Sequence, residues 1–172
     1  KPNFLGGIEQ AHQTDGAAVV LSAPKGVTNA LSLLCEQAAA GEDFQPLFTK
    51  LNDTVTGIAN NLNEELDGFA HASVVDFINS HLSVLKQHLE GIKLLGVAPD
   101  NVAAGILSIG EYISVTLFSA MLSAKGIANR VIDPVKYVLA DGEYLDSIAD
   151  VSLSKARFSD VPNDGSEFLI MP

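Results

Sequence analysis

Cysteine is almost absent from this chain. Cys35 is its only one in 172 residues, which excludes an intrachain disulfide and any cysteine-built zinc site. Flanked by Leu33, Leu34 and Ala38, it reads as a buried, inert thiol. Basic residues are also scarce, 10 Lys and Arg against 21 Asp and Glu, for a net charge of −11. Binding a nucleic-acid backbone needs clustered cations, so nucleic acid is not an expected partner. The acidity suits a dispersed, soluble protein. No apolar run is long and clean enough to read as a membrane span. The longest, Val102 to Ala124, is interrupted by Gly110, Glu111 and several Ser and Thr, and a carboxylate at mid-span is costly in lipid. Lys1 to Gly7 lacks the apolar run and cleavage site of a signal peptide, so a cytoplasmic setting is expected. There is no G-x-x-x-x-G-K-[ST] phosphate loop and no Ser-His-Asp order. His81 and His88 stand seven apart, which is not a metal-ligand spacing, and read as solvated. His12 and His71 are isolated.

What is present is a folding composition, 47% hydrophobic and 18% charged. It indicates one α/β or helical domain, or a large piece of one, with enough length to bury a core. The run Ala17 to Ser22 is continuously apolar up to its last residue, as a parallel strand covered on both faces requires. A small-residue loop, Ser22-Ala23-Pro24-Lys25-Gly26, leads into a helical pattern from Val27 to about Ala39. Apolar spacings of three and four predict further helices from Phe44 to about Leu66 and from Val74 to about Leu95, parted at Asp67-Gly68. Another runs to about Ala124, with Asp100 as its expected N-cap and Gly126 as its stop. Ile127 to Asp133 and Glu167 to Met171 read as strands; Val138-Leu139, Tyr144-Leu145 and Val151 to Phe158 fit either type. Three strands are few for this much helix, and with apolar segments at both ends the expectation is a fragment of a larger domain.

Two groups of residues can carry chemistry. At the carboxyl end of the first strand, the loop Ser22 to Gly26 would aim backbone N–H groups outward beside a helix N-terminus, with the Ser22 and Thr28 hydroxyls at hand. Such a place favours an anion; equally, Ser22, Thr28 and Asn29 can simply cap and turn the chain. In the second group, Ser108, Glu111 and Ser114 follow one another at spacings of three on one helix, and Gly110 permits a close approach. A carboxylate in so apolar a helix needs a cation, since an unpaired buried charge costs about 3–5 kcal/mol. Either a protein Lys or Arg or the amino group of a ligand would serve. Glu64, Glu65 and Asp67 read as a solvent-facing helix end.

Taken together and in this order, these segments resemble the amino acid kinase family, specifically aspartate kinases. Val19-Val20-Leu21-Ser22-Ala23-Pro24-Lys25-Gly26-Val27-Thr28-Asn29 is similar to that family's V-V-L-S-A-x-x-x-x-T-N strand and loop. Ser108-Ile109-Gly110-Glu111 matches its S-x-G-E helix, with Ser114 where a Ser is usual. The similarity continues through Gly91 to Gly96, Pro99-Asp100 and Val131-Ile132-Asp133-Pro134-Val135, most like the kinase portion of bifunctional aspartokinase–homoserine dehydrogenases. It covers roughly residues 9 to 172.

The resemblance implies a three-layer α/β sandwich with a mainly parallel sheet, present as an N-terminal-lobe fragment (residues 1–172) that binds aspartate. It implies that Thr28 hydrogen-bonds L-aspartate, that Ser22 and Ala23 form the adjoining loop, and that Glu111 faces the substrate α-ammonium, with Gly110 and Ser114 in support. The parent would transfer the ATP γ-phosphoryl group to the aspartate side chain with magnesium, and would associate as a homo-oligomer. The family's K-F-G-G-[ST]-S strand is not matched: Phe4-Leu5-Gly6-Gly7-Ile8 lacks the Lys and the Ser, so no catalytic residue is carried onto Lys1. The family's nucleotide-binding half would follow Pro172. No turnover, no tightly bound cofactor and no protein-held metal are therefore expected of these residues alone, and the family does not fix a role for Lys25. Two other readings of the residues are a non-catalytic amino-acid-binding module and a helical oligomerisation module built on Phe44 to Leu95.

Overall fold

The computed structural model describes residues 18–162 and 167–172. Phe4 to Gly7, Lys1 and His12 lie outside them. The first strand, β1, covers Ala18–Val20 and is followed by α1, Val27–Ala39. Gly26 begins α1 at φ +83°, a left-handed conformation that suits glycine. Next come α2 (Gln45–Glu65), with a proline in its first turn, and α3 (His71–Leu95), which ends on Gly96 at φ +70°. The Gly96 N–H closes that end on the carbonyl of Ile92.

The fourth helix, α4, spans Asp100–Ala124. Asp100 is not its N-cap, as expected from sequence; Pro99 takes that position and Asp100 sits in the first turn. The extended Pro99 presents its carbonyl to Val102 and Ala103, and the Asp100 carboxylate still meets the positive end of the helix dipole. β2 (Asn129–Val131) is shorter than the strand expected over Ile127 to Asp133, although the Ile132 N–H still pairs with the Ile170 carbonyl. A 3₁₀ turn, Pro134–Lys136, ends it, with the Asp133 carboxylate accepting from the Val135 N–H. Of the ambiguous pieces, Val151–Phe158 folds as α5, and β3 covers Phe168–Met171.

All pairing between strands is parallel, in the order β1-β3-β2, with Ala18 opposite Leu169 and Arg130 also opposite Leu169. The last strand in sequence is therefore the middle one in space. Two apolar cores result. One lies among α1 to α4 and includes Leu31, Val55, Ile78, Leu85, Leu89 and Ile113, all nearly inaccessible to water. The other lies between α4 and the sheet, where Val115, Phe118, Met121 and Leu122 meet Ile170. α4 serves both. Its length and apolarity would suffice to cross a membrane, yet Ile106 to Leu122 supply buried residues to both cores. That is the buried core helix expected from Glu111 at its centre.

Candidate functional site

Because the sheet is parallel, the carboxyl ends of its strands share one edge, and β1 continues there into Leu21-Ser22-Ala23. The Leu21 N–H is held by the Met171 carbonyl and Pro24 is buried. This loop rests on the middle of α4 at Gly110. A Cβ at position 110 would stand 2.7 Å from the Ala23 Cβ and 3.0 Å from Val27 Cγ1, so only a glycine allows this approach without a shift. One residue on, the Glu111 carboxylate reaches the loop: the Ala23 N–H donates to Oε1 at 3.4 Å across 88 residues of sequence.

The other oxygen, Oε2, is buried and has no hydrogen-bond partner. One turn along α4, the Ser114 hydroxyl is likewise buried and unpartnered, in a residue with no exposed surface. A buried acceptor left without a donor costs about 1–3 kcal/mol. Among the described residues no Lys or Arg forms an ion pair with Glu111. No described side chain thus supplies the cation that the sequence called for, and an acceptor stands beside a backbone loop.

Ala23, Gly110 and Glu111 are brought together, with Ser22 exposed next to Ala23 in the chain and Ser114 buried one turn from Glu111 on α4. Thr28 lies in the exposed first turn of α1, directly after Val27, whose side chain packs at Gly110. Ser108 does not join them; its hydroxyl turns back onto the Gly105 carbonyl at 2.8 Å. Each three-residue step falls about 60° short of a full turn, so Ser108 and Ser114 lie about 120° apart, on either side of Glu111.

Sequence reasoning missed the group beside the site. Tyr112, next to Glu111, donates its hydroxyl to Asp133 Oδ1 at the carboxyl end of β2, at 3.2 Å. Its phenol is pushed above its ordinary value by burial first, then by the charge and hydrogen bond of Asp133. His81, expected on a solvated face, is half-buried: it stacks on Phe77 with ring centroids 4.0 Å apart and lies 6.4 Å from the Tyr112 ring. Asp133 and Tyr112 stand 21 residues apart, and only the pairing of β2 joins them. Among the described residues no three His, Cys, Asp or Glu side chains gather as a metal-binding group.

A parallel-strand loop held against a Ser-x-Gly-Glu helix gives this protein an aspartokinase-like α/β fold. It superposes on E. coli aspartokinase III in complex with lysine and aspartate (T-state) with a TM-score of 0.79 and 18% identity, over 98% of this chain and 37% of that one. With the same enzyme in complex with aspartate and ADP (R-state) the TM-score is 0.72 at 20% identity, over 98% and 36%. In sequence the chain is similar to bifunctional aspartokinase/homoserine dehydrogenases. It is 33% identical over 165 residues to that of Buchnera aphidicola subsp. Acyrthosiphon pisum, covering 95% of this chain and 20% of the relative. It is 35% identical over 150 residues to that of Haemophilus influenzae, covering 87% and 18%. The chain thus spans about a fifth of the length of the curated relatives it matches. No protein-family model matches it. The resemblance to aspartate kinases, and to the bifunctional kind in particular, is borne out.

Proposed function

We propose that this chain is the aspartate-binding part of an ATP-dependent aspartate kinase. The observation that carries the reading is Glu111 Oε2, buried without a partner beside the Ala23 amide. An α-ammonium group there would give the carboxylate its missing donors, and a charge-assisted hydrogen bond is about twice as strong as a neutral one. Thr28 would donate its hydroxyl to a substrate carboxylate, and the Ser22-Ala23 backbone would orient the same ligand. Two aspartokinase III structures contain aspartate, which supports this choice of amino acid.

In the whole enzyme, an oxygen of the aspartate side-chain carboxylate would attack the γ-phosphorus of ATP. The bond between that phosphorus and the β–γ bridging oxygen would break, leaving ADP and an acyl phosphate. This chain's share of the step is to fix the nucleophile, since phosphoryl transfer is chiefly positioning and charge neutralisation. The described residues do not fit a magnesium site of their own, so no part of the step is assigned to a metal held by them. Phosphoryl transfer by this chain alone is not expected, and a clear kinase rate from the pure chain would overturn that. The nucleotide-binding half of the parent, its homo-oligomeric association and a cytoplasmic setting belong to the same proposal.

Calorimetric titration with L-aspartate tests the reading. Saturable binding is expected, lost in Glu111→Ala and weakened about ten-fold or more in Thr28→Ala, the scale of one hydrogen bond to a charged group. Failure of the folded wild-type chain to bind would sink the assignment of a preformed pocket here.

A further inference from the structure

A cleft opens at the end of the same loop, between α1 and α2. It measures about 240 Å³ and brings together Lys25, Val27, Ala30, Leu47, Lys50 and Leu51. Glu111, Ser22 and Ser114 take no part in it. Its charge is unusual for this protein. Acids outnumber Lys and Arg by 21 to 10, yet two of those ten cations line one cleft and no carboxylate does. Neither lysine forms an ion pair among the described residues. Among the described residues Arg130 pairs with Glu167; what sets these two lysines apart is that they share a cleft whose lining holds no carboxylate, and a cleft lined by one sign of charge concentrates potential. The four aliphatic side chains between them add an apolar surface. Gly26 opens α1 at the same place without any side-chain cap, so first-turn N–H groups of the helix add modestly to the field.

We propose that this cleft binds a small amphiphilic anion: a carboxylate or phosphate head paired by Lys25 and Lys50, on a body of a few carbons lying against Val27, Ala30, Leu47 and Leu51. The volume suits a molecule of that size and excludes a whole nucleotide. The site is separate from the one proposed for aspartate, and because both share the Ser22–Gly26 loop, occupancy of one can bear on the other.

The probes are sodium butyrate and n-butyl phosphate, titrated into the chain at constant ionic strength set with sodium chloride and followed through amide NMR shifts. Saturable shifts are expected at Lys25 to Ala30 and at Leu47 to Thr54. Butyrate should bind more tightly than acetate, by about four-fold for each methylene it buries. Lys25→Gln and Lys50→Gln should each weaken binding about five-fold or more, while Lys86→Gln, exposed on α3, should leave it unchanged. Response to one probe names the head group, and response to both supports a general anion site. Glu111→Ala should retain butyrate binding while losing aspartate, so the two readings fail separately. The proposal is overturned if neither probe gives saturable shifts, or if they persist in the Lys25→Gln/Lys50→Gln double variant.

Discussion

An alanine at position 110 would press its Cβ to within 2.7 Å of the Ala23 Cβ and 3.0 Å of Val27 Cγ1. Both neighbours belong to the loop and helix start that face Glu111, so the strain falls on the candidate site and not on a remote turn. Gly110→Ala is expected to lower stability by about 1–3 kcal/mol in urea unfolding and to weaken aspartate binding with it. Adding Ala23→Gly should recover part of the stability by removing the closest contact, and a double-mutant cycle measures the coupling. Ser114 points the other way. Its hydroxyl is buried without a partner, so Ser114→Ala removes an unsatisfied group and is expected to leave stability unchanged or raise it by up to about 1 kcal/mol. A loss above about 1 kcal/mol would show that the hydroxyl has a partner in the folded chain.

At the scale of elements, α3 shows how far packing outweighs composition. Leu89 and Leu94 are the same residue type near the end of one helix. Leu89 is fully buried among α1 to α4, whereas Leu94 is 88% exposed. Leu89→Ala should cost about 2–5 kcal/mol through lost burial and a residual cavity. Leu94→Ala should change stability by no more than about 0.5 kcal/mol, as surface substitutions usually do. Comparable losses from the two would contradict the placement of α3. α4 holds the two cores together, with Ile113 and Leu117 in one and Val115 and Phe118 in the other.

For the whole molecule, titration above neutral pH tests how well the interior is closed. Burial, and after it the charge of Glu36, raises the Cys35 thiol above its ordinary value of 9.0. Tyr112 is raised above 10.0, chiefly by burial. For such acids the folded state binds protons that the unfolded state has already released. Stability is therefore fully present below the unfolded values and falls as pH rises from about 9 through the folded ones. Urea midpoints should decline between pH 9 and 11, and less steeply in Cys35→Ala and Tyr112→Phe than in the parent. In the same spirit, Cys35 should react with a thiol reagent at pH 8 only as fast as the chain opens, because the buried thiol holds its proton. Rapid labelling of the folded protein would contradict the buried position given to Cys35.

Much of this was legible in sequence because local patterns carry it. Continuous apolar residues before Ser22, spacings of three and four, and glycines at 26, 68 and 126 mark elements whose types the fold bears out. The approach of the Ala23 loop to Gly110 and Glu111 was legible only through the family resemblance, which set the two motifs at one site. Other features hang on what stands opposite. β2 is short because β3 pairs with only part of the segment Ile127 to Asp133, and β3 comes last in sequence yet lies in the middle of the sheet. Tyr112 finds Asp133, and Lys25 finds Lys50, only once separate elements pack. Periodicity determines which face of an element is apolar, because side-chain direction repeats with the backbone. Which residues face one another across a loop or cleft is decided by tertiary packing, because that depends on segments far apart in the chain.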